Sequence, residues 1–131
     1  MALNAELLRS SAELVVSREP DFTLRFYGIL FKRYPQLQPL FGRNSRDNQA
    51  KMLRDSIVAV LDHLEDAPWL VTNLKALGDR HKGYQVTPEM YPMVGECLLA
   101  TLAEIAGDDW SPEIQAAWSD AYGAIVSMME P

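Results

Sequence analysis

Cysteine is nearly absent: Cys97 is the single one in 131 residues. An internal disulfide and a cysteine-rich zinc site are therefore excluded. Histidine is almost as scarce. His63 and His81 are the two present, so a function needing two or three imidazole ligands has those and no more. Cations are in the minority: 12 Lys and Arg against 18 Asp and Glu give a formal charge of -6. An acidic surface repels phosphate backbones and anionic lipids, so no nucleic acid and no membrane is expected as a partner. No run approaches the ~18 uncharged apolar residues of a membrane span. The start, Met1-Ala2-Leu3-Asn4-Ala5-Glu6, has no basic stretch followed by an apolar one, and together with the free cysteine this makes cytoplasmic the expected location. Gly-x-Gly-x-x-Gly, Gly-x-x-x-x-Gly-Lys and Gly-x-Ser-x-Gly are all missing. So is Glu-x-x-His, which a di-iron bundle needs.

What is present is helical periodicity cut by proline and glycine. The length and the 48% hydrophobic content suit one globular domain, residues 1–131. A first helix is expected from the cap Asn4 to about Val16, with Leu7, Leu8, Leu14 and Val15 on one face. Arg18-Glu19-Pro20-Asp21 interrupts it. A second helix carries Phe22, Phe26, Ile29, Leu30 and Phe31 and stops before Pro35. A short turn of helix between Pro35 and Pro39 follows, then a polar loop from Gly42 to Asp47. Leu53, Ile57, Val60, Leu61 and Leu64 recur at helical spacing, up to a stop near Asp66-Ala67-Pro68. Leu70, Leu74, Leu77 and His81 form the next stripe, which Gly83 ends. Thr87-Pro88-Glu89 and Ser111-Pro112-Glu113 are start signals for two more helices. Tyr91, Val94, Leu98, Thr101, Leu102 and Ile105 lie on one, which ends at Gly107. Ile114, Trp118, Ala121, Tyr122, Ile125 and Met129 lie on the other. No strand alternation bounded by hairpin turns occurs. The expectation is all-α, with about six helices.

Cys97 falls inside an apolar helix and reads as a small buried hydrophobe rather than a nucleophile. His63, between Asp62 and acidic Glu65, reads as a solvated helix-end histidine. His81 continues a leucine stripe, and an imidazole placed there must find a partner. Two partners are open: a backbone carbonyl or water, or a metal held by one ring nitrogen. A lone histidine cannot build a protein-only metal site. It suffices for a metal that arrives with its own ligands, as haem iron does.

Three segments carry a family resemblance. They are Phe26-Tyr27-Gly28-Ile29-Leu30-Phe31 with Tyr34-Pro35 and Pro39-Leu40-Phe41; Leu77-Gly78-Asp79-Arg80-His81-Lys82-Gly83-Tyr84 with Tyr91-Pro92-Met93-Val94-Gly95-Glu96; and Ala117-Trp118-Ser119-Asp120-Ala121-Tyr122-Gly123. The chain resembles bacterial single-domain globins of the flavohaemoglobin-like type over nearly its whole length. The resemblance implies a globin fold, a three-over-three helical sandwich with a short or absent D helix. It implies haem b as cofactor, with His81 matching the proximal iron ligand and Phe41 matching the aromatic that packs flat on the porphyrin. Tyr27 matches the distal tyrosine. Gln49 matches the residue that faces the ligand from the distal helix, and Leu53 one turn on would wall the distal pocket. On the proximal side Tyr91 matches a tyrosine beside the histidine. Leu77, Val86, Val94 and Leu98 are expected to line the pocket, and Arg80 and Lys82 are candidates for haem propionates.

One departure stands out. The family often adds a late glutamate to the proximal histidine and tyrosine. Here that position falls just past Pro131, and Glu130 is about one turn early. The implied function is reversible dioxygen binding at a pentacoordinate haem, with possible nitric oxide dioxygenation. No reductase segment follows within the 131 residues, so an external reductase is the expected partner. Two alternatives stay open: a storage or gas-sensing globin without turnover, and a haem-free globin-like interaction module.

Overall fold

A computed structural model describes residues 4–41, 45–83 and 86–129. Six α-helices follow one another: α1 (Ala5–Arg18), α2 (Phe22–Arg33), α3 (Arg46–Asp62), α4 (Ala67–Gly83), α5 (Met90–Ala106) and α6 (Pro112–Met129). A 3-10 turn over Pro35–Phe41 links α2 toward α3, and a shorter one over Gly107–Asp109 precedes α6. Among the described residues there is no strand, and no separate helix stands between Phe41 and α3.

The caps explain most boundaries. The Asn4 side chain accepts from Leu7 N–H at 3.1 Å, Ser45 Oγ from Asn48 N–H at 3.1 Å, and Ser111 Oγ from Ile114 N–H at 3.1 Å. Three expectations shift. The Gly42–Asp47 loop is shorter, because Ser45 caps α3 and Arg46 and Asp47 are already helical. Asp66-Ala67-Pro68 starts α4 rather than stopping α3: the Asp66 carboxylate accepts from Trp69 N–H at 3.2 Å, and Pro68 sits in the first turn, where its missing N–H is no loss. Thr87 does not cap α5. Thr87 O instead accepts from Met90 N–H in a turn, and the helix begins at Met90.

The helices form two layers, α1, α3 and α4 over α2, α5 and α6. The extensive pairs are α2 with α5, α4 with α6, α2 with α3, and α5 with α1 and α6. α3 and α4 are neighbours in sequence but do not pack extensively on each other. Their apolar stripes are mostly half-buried, and Met52, Val58 and Val71 are well exposed.

The buried core accordingly divides. One cluster gathers Leu8, Val15, Phe26, Tyr27, Leu30, Leu98, Leu102 and Trp118. A second, smaller one joins Leu70, Leu74, Tyr91 and Met129 across α4, α5 and α6. Buried polar contacts pin the layers. Trp118 Nε1–H donates to Ser11 Oγ at 2.8 Å, and Thr23 Oγ1 donates to Ala50 O at 2.9 Å. Cys97 is fully buried, and that burial pushes its thiol up, as an inert core cysteine requires.

Candidate functional site

Two groups of candidate side chains lie around different core clusters. The first is built on α2. Thr23 and Ala50 are both buried and joined by the Thr23–Ala50 O hydrogen bond, so α2 and α3 cross closely there. One turn after Thr23 on α2 comes Tyr27, and immediately before Ala50 on α3 comes Gln49. The crossing brings them together, and the Tyr27 and Gln49 side chains hydrogen-bond. Tyr27 is 3% exposed. Burial raises its phenol above the ordinary value, more than the Gln49 contact lowers it. Tyr27 therefore stays a proton donor at neutral pH.

Aromatic rings surround this donor pair. The Phe41 ring lies 5.4 Å from that of Tyr27, edge to face, and 5.5 Å from that of Phe31. Tyr27 and Phe31 stack at 5.7 Å. Leu53 and Val94 pack half-buried against the same cluster, which includes buried Leu98.

The second group is built on α4 and the start of α5. His81 Nδ1 lies 2.7 Å from the Leu77 carbonyl oxygen. A carbonyl oxygen only accepts, so Nδ1 carries the hydrogen in this contact. The neutral ring then presents Nε2 as a lone pair, the form in which histidine ligates a metal. The ring centroids of His81 and Tyr91 are 6.4 Å apart. Tyr91 is buried, and Leu77 and Val86 pack half-buried against its cluster. Val86 N–H donates to His81 O at 3.0 Å, which folds the chain after α4 back toward the histidine.

The residues expected on the two sides are thus gathered into two sets, one around Tyr27 and one around His81. Arg80 and Lys82 are exposed. Glu130 lies outside the described residues. His63 departs from its solvated expectation: it is half-buried, its Nδ1 lies 2.7 Å from Ala59 O, and its ring stacks on Trp69 at 3.8 Å. Among the described residues no cluster of three or more His, Cys, Asp or Glu stands ready to hold a metal. One imidazole is the donor set.

A globin family model matches residues 24–129. The chain belongs to the globin family. The globin is 30% identical over 126 residues to a flavohemoprotein of Bacillus cereus, covering 95% of this chain and 31% of the relative. It is 29% identical over 126 residues to a flavohemoprotein of Rhizobium meliloti, covering 95% and 31%. The chain spans about a third of the length of the curated relatives it matches. A bacterial globin from Campylobacter jejuni shares the fold, with a TM-score of 0.81 at 24% identity, over 95% of this chain and 90% of that one. Family membership makes this a haem-binding, gas-binding protein. The donor set fits haem, because a single neutral imidazole suffices when porphyrin supplies the remaining nitrogens. No helix among the described residues is long and apolar enough to cross a membrane.

Sequence reasoning missed three residues that shape the site. Thr23 sits one turn before Tyr27 on an apolar face, a signal that was legible. Phe31 is legible as an apolar position of the second helix, but its stacking on Tyr27 is not. Tyr122 donates to Tyr91 O at 2.6 Å, which no spacing announces.

Proposed function

We propose that this globin binds dioxygen reversibly and tightly at a pentacoordinate haem b held by His81, and uses it to convert nitric oxide to nitrate. The observation that carries the reading is the pairing of one imidazole held at Nδ1 by a carbonyl with the hydrogen-bonded side chains of buried Tyr27 and half-buried Gln49. The cofactor is assigned as haem b because covalent attachment needs a Cys-x-x-Cys-His run, and the single cysteine is fully buried.

Haem, when bound, supplies the iron that takes dioxygen and the one electron consumed as dioxygen and nitric oxide combine to nitrate. The protein supplies the surroundings. Tyr27 and Gln49 would donate hydrogen bonds to a bound ligand's negatively polarised oxygen, each worth about 1.5–3 kcal/mol to a charged acceptor. The pair slows dioxygen release by roughly two to four decades if the two bonds add. Phe41 would pack against the haem, Leu53 would wall the ligand side, and Leu77, Val86, Val94 and Leu98 would complete an apolar lining. Each cycle uses one electron, so turnover requires a reductase outside these 131 residues. The relatives' name joins flavin to haem, which supports a flavin-bearing electron donor.

The test has two stages. Purified protein mixed with haem should give a Soret band, and His81→Ala should lose or shift it. A wild-type protein that stays colourless with added haem leaves only the interaction-module reading. Stopped-flow mixing of the oxy form with nitric oxide should then give rapid nitrate and ferric haem. Dioxygen binding without that reaction would leave storage or sensing as the function.

A further inference from the structure

We propose that Tyr122 is a positioning residue for the proximal side: by clamping the backbone at Tyr91 it sets the angle at which His81 presents Nε2. This rests on the haem reading above. The Tyr122 hydroxyl donates to the Tyr91 carbonyl at 2.6 Å. Its ring lies flush on the same helix one turn later, where a Cβ added at Gly95 would stand 2.6 Å from a ring carbon. Both contacts are to backbone, so they determine where the first turn of α5 runs and not merely how one side chain rests.

That turn needs an outside hold. Glu89 at the cap position gives no side-chain cap bond, and Tyr91 N–H reaches Pro88 O only at 3.3 Å. Tyr91 is buried, and its ring lies 6.4 Å from that of His81 with a 38° tilt. His81 has its own anchor to Leu77 O, but one bond at the ring edge leaves some roll of the ring. Tyr91, fixed from α6, is the neighbour that limits the roll. Partners of a metal-bound imidazole set its orientation and donor strength. The chain therefore stations the last helix, through Tyr122, as the element that tunes the iron–histidine bond.

The experiment compares haem-loaded variants by the iron–histidine stretching band of the ferrous protein, and by the rate of haem loss to an excess of an apo-globin acceptor. Tyr122→Phe should shift or broaden the band and speed haem loss by about 2- to 12-fold, the equivalent of one hydrogen bond. Gly95→Ala, whose new methyl presses on the Tyr122 ring, should also move the band and serves if Tyr122→Phe does not fold. Ser11→Ala removes a buried acceptor from Trp118 on the same helix; it should lower stability and leave the band in place. In a Tyr91→Leu background, Tyr122→Phe should add no further shift. An unmoved band in Tyr122→Phe and Gly95→Ala, an equal movement in Ser11→Ala, or a persisting shift without the Tyr91 ring each overturns the proposal. Failure of the wild-type protein to take up haem at all would instead overturn the functional reading on which it rests.

Discussion

Gly78 and Gly123 should answer the same substitution with opposite signs. Gly78 is buried on α4, three residues before His81, and packs against the end of α6. A Cβ there would stand 2.1 Å from the Met129 carbonyl oxygen, 2.8 Å from its carbon and 2.9 Å from its Cα. All three are backbone atoms, so no rotamer change relieves the overlap. The helices must separate until 2.1 Å becomes at least the 3.4 Å of ordinary contact. Such overpacking costs about 1–3 kcal/mol. The alternative is to undock the end of α6, which exposes Met129 and loses about 1.5–3 kcal/mol of burial. Alanine returns about 1 kcal/mol of helix propensity. The net for Gly78→Ala is a loss of up to about 2 kcal/mol.

Gly123 is exposed on α6 with nothing within 4 Å of a new Cβ, so Gly123→Ala keeps the propensity gain of about 0.5–1 kcal/mol. For a chain of 131 residues, 1 kcal/mol moves Tm by about 3–4 °C. Thermal unfolding followed by far-ultraviolet circular dichroism should therefore place Gly78→Ala up to about 8 °C below the wild type and Gly123→Ala about 2–4 °C above it. A Gly78→Ala protein as stable as Gly123→Ala would refute the described α4–α6 contact.

Three more outcomes are expected. Tyr27→Phe, which deletes one donor to the bound ligand, should raise the dioxygen dissociation rate by about 10- to 100-fold in stopped-flow measurement; an unchanged rate removes Tyr27 from that role. Because burial raises the Tyr27 phenol, the unfolded chain gives up this proton at lower pH than the folded one. Stability from this group is therefore complete below about pH 10 and falls as pH climbs through the raised value, by at most about 1.4 kcal/mol per pH unit. Urea unfolding across that range should show a steeper loss for the wild type than for Tyr27→Phe. Finally, the His63 ring stacks on Trp69 at the far end of α3 from Gln49, and Met52 is exposed, so neither is poised as a sixth ligand. The ferric protein at neutral pH should be high-spin, and a low-spin spectrum would contradict the arrangement.

The helices were legible because their apolar spacing and capping residues agree, as at Asn4, Ser111 and Gly107. The sequence misled where one signal has two meanings. Asp66-Ala67-Pro68 reads as a stop, yet an aspartate cap with a proline in the first turn is also a start, and the capping bond to Trp69 decides it. At His81 the choice between a carbonyl partner and a metal proved a false one. Nδ1 takes the carbonyl and thereby leaves Nε2 for a ligand. Gln49 could be aligned only by family likeness, since its meeting with Tyr27 depends on a crossing held by the side chain of Thr23 and the backbone of Ala50. Tyr122 and Gly78 were illegible because both contacts are to backbone atoms of another helix, and a backbone carbonyl carries no residue identity.

The attachments of α1 bear on the order in which the molecule is made. Ser11 meets Trp118 across 107 residues, and Arg9 reaches Leu61 O and Glu65, while Arg18 reaches Ile105 O, Ala106 O and Asp109. On the ribosome the first helix emerges with Leu8 and Val15 bare and its docking face not yet written. At ~5–20 residues per second the indole that seals it arrives roughly 5–20 s later. Of the six helices, α1 is thus translated before the others and completes its contacts only with α6, and the interval between is set by the speed of translation.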